Sequence, residues 1–163
     1  MSTASRDDFE RDLELYLHKH IPISAAMGVT VASASADRVH LQAPLDLNIN
    51  HRSTVFGGSA AAVAILAGWS LLHVRIGHEG RGDRIVIQRS SVDYVLPIDD
   101  DFDAIARAPD PADWRRFQKM LARRGVGRID LAVELRCHRE VAGECVGAYV
   151  VLPTSAPRNV AAR

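Results

Sequence analysis

The sequence predicts an α+β fold in which one antiparallel sheet curls around a single buried helix. Three observations carry this. Ser53 to Val74 holds no formal charge over 22 residues, as expected of a helix apolar on every side. The segments around it alternate polar and apolar residues at the period of half-buried strands. Their connections are too short for the repeated crossover helices of a parallel sheet.

Along the chain, Ser5 is suited to cap the first helix and Asp7 and Asp8 to sit at its positive end. Phe9, Leu13, Tyr16 and Leu17 then share one face, and Pro22 stops the helix near His20. Met27 to Leu45 reads as two extended runs with a turn at Asp37. In the second run Val39, Leu41, Ala43 and Leu45 alternate with Arg38, His40, Gln42 and Pro44. Asp46 to Thr54 is a polar loop. Gly57, Gly58 and Ser59 open the apolar helix, which runs to about Val74, and Gly77, Gly80 and Gly82 mark the loop beyond. Only 14 residues of the uncharged stretch are apolar and five of those are alanine, so enclosure in protein is expected over a membrane span.

Four strands follow: Arg84 to Leu96, Phe102 to Ala108, Arg128 to His138 and Glu144 to Leu152, with a turn at Arg139 to Gly143. A further helix lies between the second and third. Asp110 caps it, Pro111 suits its first position, Gly125 its end, and Trp114, Phe117, Met120 and Leu121 form its stripe. Pro153 to Arg163 reads as a frayed tail. The expected division is a helix at 1–20, one domain at 21–153 and a tail at 154–163.

The 20 Lys and Arg residues balance 20 Asp and Glu residues. No bulk attraction to nucleic acid or to an anionic membrane follows from that zero net charge. The polar, acidic start of the chain is unlike a signal or transit peptide, so a cytoplasmic protein is expected. Cys137 and Cys145 are too few for a disulfide framework; across the last hairpin they are expected as buried thiols. Histidines and cysteines show no zinc spacing, and no dinucleotide or phosphate-loop motif is present, so neither metal nor cofactor is expected.

The string Asn50-His51-Arg52-Ser53-Thr54-Val55-Phe56-Gly57-Gly58-Ser59 resembles the signature of hotdog-fold thioesterases, an asparagine or aspartate shortly before a Gly-Gly pair that opens the central helix. Phe56-Gly57-Gly58-Ser59 with Gly68-Trp69 resembles the thioesterase family named after the C-terminal domain of the bacterial protein YiiD. Ile87-Gln88-Arg89-Ser90-Ser91-Val92-Asp93-Tyr94, Phe102-Asp103-Ala104-Ile105-Ala106 and the Trp114 helix ending in Arg123-Arg124-Gly125 fit the same family. The resemblance runs from about Ile21 to Pro153. It implies a hotdog fold, hydrolysis of an acyl thioester of coenzyme A or acyl carrier protein, and a homodimer or dimer of dimers with acyl tunnels where subunits meet.

Thioester hydrolysis needs a clamp for the carbonyl, an activated water and a channel for the acyl chain. Backbone N–H groups of Gly57, Gly58 and Ser59 at the helix start are the candidate clamp. The same glycines would serve equally for close packing. Asn50 is the candidate for orienting water or thioester, with Asn48 as rival; a turn role is the alternative for Asn50. Many hotdog relatives carry a carboxylate in the central helix, and here Gly57 to Val74 has none. His51, Asp93 and Tyr94 are the remaining candidates for proton transfer or contact, and Ser59 acts as a nucleophile only beside a base. Ala61, Phe56 and Trp69 are candidate acyl contacts, and the small Ala60, Ala61, Ala64 and Gly68 serve either a groove beside the helix or close helix–sheet packing. The basic cluster of Arg115, Arg116, Lys119, Arg123, Arg124 and Arg128 suits phosphates or an acidic carrier protein, or is a solvated helix face. Two rival functions stand beside hydrolysis. A dehydratase or hydratase would need a histidine where Phe56 stands, and an acyl-binding scaffold would not need the missing carboxylate.

Overall fold

The computed structural model describes residues 3–77 and 84–153. Its elements are α1 (Thr3–His20), α2 (Pro22–Ala26), β1 (Thr30–Ala34), β2 (Arg38–Ala43), α3 (Gly57–Gly77), β3 (Arg84–Tyr94), β4 (Phe102–Arg107), α4 (Pro111–Arg124), β5 (Gly127–Cys137) and β6 (Glu140–Leu152). One six-stranded sheet has the order β1-β2-β4-β5-β6-β3, and every pairing is antiparallel. Its concave face holds α3, which packs on β2, β3, β4, β5 and β6. That helix is long and apolar enough to cross a membrane. Here Val63, Ala64, Ala67, Leu71 and Leu72 are instead wholly buried against the sheet. Burial of that apolar surface is the main stabilising term of such an arrangement.

The alternating segments pack as their periods require. Val39, Leu41 and Ala43 of β2 are buried, as are Ile129, Leu131, Val133 and Leu135 of β5. Asp110 caps α4 by accepting a hydrogen bond from Ala112 N at 2.7 Å, and Gly125 closes it at φ +67°, a left-handed conformation that favours glycine. Helix α1 seats Leu13 and Leu17 in the core and leaves Phe9 and Tyr16 largely exposed. Its Glu14 and Glu10 carboxylates accept from Val31 N at 2.9 Å and Ala34 N at 3.2 Å, which blunts the β1 edge of the sheet.

Three local expectations are corrected and one is extended. Helix α1 begins at Thr3, so Ser5 lies inside it and is not its cap. Pro22 ends α1 but also opens the short α2, because proline's missing N–H is no loss in a first helical turn. The last hairpin turns on His138 and Arg139, at φ 51° and 68°, so β6 starts at Glu140 and the turn expected at Arg139 to Gly143 is mostly strand. Two-residue hairpins demand left-handed central residues, and neither position carries the glycine or asparagine that advertises one. Cys137 and Cys145 are free and buried, as expected, yet they do not face each other: Cys137 pairs with Glu140 and Cys145 with Val133. Gly77 ends α3, while Gly80, Gly82 and the tail beyond Pro153 lie outside the described residues.

Candidate active site

The loop before α3 is a small, tightly bonded hairpin. Ile49 bridges Val55, and Phe56 N donates to Asn48 O at 2.7 Å. Asn50 holds its interior. Its Oδ1 accepts from Arg52 N at 2.7 Å and Thr54 N at 3.4 Å, and its Nδ2 donates to Thr54 Oγ1 at 3.0 Å and Val55 O at 3.3 Å. An amide has two lone pairs and two N–H donors, and all four are engaged inside the loop. Asn50 therefore builds the loop that leads into α3. Asn48 is buried and donates to Met27 O and Pro44 O, anchoring the same loop to the body of the domain. His51 is exposed on the turn.

The loop delivers the chain to the first turn of α3. Ser59 N donates to Phe56 O at 2.9 Å and Ala60 N to the same carbonyl at 3.1 Å. Ser59 is thus withdrawn from the expected set of free donors. Among the described residues the N–H groups of Gly57 and Gly58 have no such partner, as the start of a helix requires. The glycines also serve packing. A Cβ on Gly58 would stand 2.4 Å from the Phe56 ring, and one on Gly57 would stand 3.3 Å from the Tyr94 hydroxyl. That hydroxyl donates to Gly57 O at 2.5 Å and ties the end of β3 to the helix start. Partial burial, and then the neighbouring Cys145 thiol, hold the Tyr94 phenol above its ordinary value, so it is a donor near neutral pH. Phe56 is 59 % exposed and Tyr94 49 %, so the two rings frame an open mouth.

A bulge at Gln88 shifts the register between Ile87 and Arg89. It brings Ile85 and Ile87 onto the same face as Ser90, Val92 and Tyr94, the face that meets Tyr149, Gly147, Cys145 and Gly143 of β6. Along that face runs the flank of α3 at i, i+4 spacing: Gly57, Ala61, Ile65, Trp69 and His73, each but Gly57 a half-buried side chain. Ala61 and Ile65 on this flank are partly exposed. The flank closes at Trp69, whose indole N–H donates to Ile85 O at 3.1 Å and whose ring stacks on His73 at 4.9 Å. Tyr16 of α1 stacks on His73 in turn at 4.8 Å. The space expected beside Gly68 is filled: its missing Cβ makes room for Tyr149, whose buried hydroxyl donates to Ile65 O at 2.8 Å.

Three expected participants stand elsewhere. Asp93 is exposed and adjacent to Tyr94 on β3, so it points to the opposite, convex face and pairs with Glu144. Arg123 and Arg124 end α4, just before Gly127, which pairs with Val151 beside Ile85. Nine residue steps along β3, about 30 Å, separate that end from Tyr94. Within one chain the basic cluster and the helix start are at opposite ends of the molecule. Among the described residues α3 carries no carboxylate, and His73 lies about 24 Å along the helix from Gly57.

A single apolar helix clasped by a curled antiparallel sheet, its glycine-opened end framed by a structured loop, defines a hotdog protein of the thioesterase type. The family model described as "Putative thioesterase (yiiD_Cterm)" matches residues 10–153, and the chain belongs to that family. Solved structures agree. A protein of unknown function from Chlorobaculum tepidum TLS is 27 % identical, covers 91 % of this chain and 97 % of its own, and superposes with a TM-score of 0.84. A putative thioesterase from Shewanella oneidensis is 25 % identical, with coverage of 90 % and 99 % and a TM-score of 0.77. A probable thioesterase from Pseudomonas aeruginosa shares the fold at 21 % identity, with coverage of 87 % and 95 % and a TM-score of 0.74.

Proposed function

We propose that this protein hydrolyses acyl thioesters of coenzyme A or acyl carrier protein, with the thioester carbonyl held on the N–H groups of Gly57 and Gly58. The observation that carries this reading is the pair of N–H donors without a partner among the described residues, at the positive end of a long enclosed helix and beside a half-buried apolar flank. Charge building on the carbonyl oxygen as water attacks would be met by donors that need no reorganisation. Asn50 and Tyr94 hold those donors in place through the loop and through Gly57 O. The acyl chain would follow Ala61 and Ile65 toward Trp69.

A second copy completes the proposal. β3 is an 11-residue edge strand, and unlike β1 it has no helix carboxylates on its edge amides among the described residues. Antiparallel pairing of β3 with its symmetry mate would set one copy's Tyr94 end beside the other's Arg84 end. The basic end of α4 would then approach the other copy's helix start, where phosphates of coenzyme A or an acidic carrier would be received. The proton acceptor missing from one chain's helix start is assigned to the same junction.

The absent carboxylate favours one alternative, an acyl-binding protein without turnover. Purified protein incubated with a chain-length series of acyl-CoAs separates the readings. Release of free thiol supports hydrolysis; saturable acyl-CoA binding without thiol release would establish the alternative. Asn50→Ala is expected to lower thiol release at least about tenfold, with an unchanged far-ultraviolet circular dichroism spectrum, because the donors lose their alignment. Unaltered turnover would remove the loop from the mechanism.

A further inference from the structure

We propose that Asp99, Cys137 and His138 form a binding site for a divalent cation of the zinc class. Cys137 and His138 are consecutive in the chain and Asp99 is distant from both, and hydrogen bonding brings the three together where the segment after β3 meets the β5–β6 turn. His138 Nε2 lies 2.9 Å from Asp99 Oδ1, and Cys137 Sγ lies 3.9 Å from the same oxygen. One ligand atom from each falls within 4.8 Å of the others. Zinc bonds of about 2.0–2.3 Å in a tetrahedral site place neighbouring donors about 3.3–3.8 Å apart. The observed separations therefore convert to coordination with shifts of about 1 Å or less.

The donor set suits the ion. Thiolate, imidazole and carboxylate are ligands that zinc accepts together, and their summed charge cancels a divalent ion. The imidazole is also oriented for the task. Its other nitrogen, Nδ1, faces Asp100 Oδ2 at 3.7 Å. With the ring proton on Nδ1, Nε2 turns its lone pair inward, the carboxylate–histidine–metal arrangement that fixes a ligand's tautomer. Binding releases the Cys137 thiol proton to solvent, moves the ring proton from Nε2, where it bridges to Asp99, to Nδ1 on the Asp100 side, and replaces the Asp99–His138 hydrogen bond by two metal bonds. The thiol is nearly buried, whereas Asp99 and His138 have side chains 60 % and 58 % exposed. The ion would enter from the surface and keep one position for water.

The site would act as a clip. Its Asp99 arm follows Ile98, whose carbonyl accepts Val55 N at 2.7 Å, so the clip joins the hairpin turn to the segment that supports the loop before α3. This inference stands apart from the thioesterase reading and survives its failure.

Chelator-stripped full-length protein titrated with cobalt(II) is expected to take up one equivalent and to show a thiolate-to-cobalt charge-transfer band that zinc abolishes by competition. His138→Asn keeps a residue tolerant of the left-handed turn, and Asp99→Asn keeps the exposed shape, so both should fold. Each is expected to weaken zinc binding at least about tenfold. Zinc should raise the melting temperature of the wild type and leave both variants unmoved. Absence of the band in the wild type, or undiminished binding in both variants, would overturn the proposal.

Discussion

Glycine means different things at Gly58 and at Gly68, and alanine tells them apart. At Gly58 an added methyl would meet the Phe56 ring at 2.4 Å, but that ring is 59 % exposed and can swing away. Gly58→Ala is expected to leave urea-unfolding stability within about 1 kcal/mol of wild type while thiol release falls at least about tenfold, because the displaced ring crowds the donor pair. At Gly68 the methyl would stand 2.3 Å from the hydroxyl of Tyr149, a buried ring with no free volume around it. Gly68→Ala is expected to lose about 1–3 kcal/mol in the same unfolding measurement. The residue types of both positions are plain in the sequence, but what each glycine makes room for is not. Tyr149 lies 81 positions from Gly68, and only the β6 register brings them together.

Helix α3 meets α1 through a stack of rings: Trp69, His73, Tyr16 and His20, with successive centroids 4.9, 4.8 and 4.3 Å apart. Burial holds the His73 imidazole below its ordinary value of 6.5, so the folded chain resists a proton that the unfolded chain accepts. The linked stability is complete above pH 6.5 and is lost as the pH falls through the depressed folded value. Melting temperatures taken below pH 6.5 are expected to drop more for wild type than for His73→Phe, which keeps the stack without the proton. Asp12 and His73 both line a cavity of about 320 Å³, and the Asp12 carboxylate would temper the effect by favouring the charged ring. In the proposed mechanism Trp69, one helical turn earlier, would close the acyl path. Trp69→Ala is expected to shift the acyl-CoA profile toward longer chains, read as the ratio of kcat/KM between long and short substrates. An unchanged ratio would place the acyl chain elsewhere.

The two edges of the sheet are finished differently. Carboxylates of α1 occupy β1's amides, whereas β3 runs 11 residues with Ile87 and Tyr94 exposed, and Val95 and Leu96 exposed just beyond it. A long exposed apolar edge invites pairing. Light scattering is expected to return twice the 17.8 kDa chain mass, and thiol release per chain should fall on dilution below the dimer dissociation constant. A monomer at full activity would refute the shared site.

By itself the sequence determined the order of every element but the short α2, the enclosed helix, the sheet faces and the caps of α4, because each is written in a local period or a cap residue. It also determined the family, through the Asn50 to Ser59 string. Tertiary structure alone decided what these residues touch. It turned Asn50 inward on its own loop, sent Asp93 to the convex face, moved Arg123 and Arg124 to the far end of β3, and gathered Asp99, Cys137 and His138 at one turn. Those outcomes depend on strand register and on left-handed turn residues, and a single residue's shift in either reverses a side chain's face.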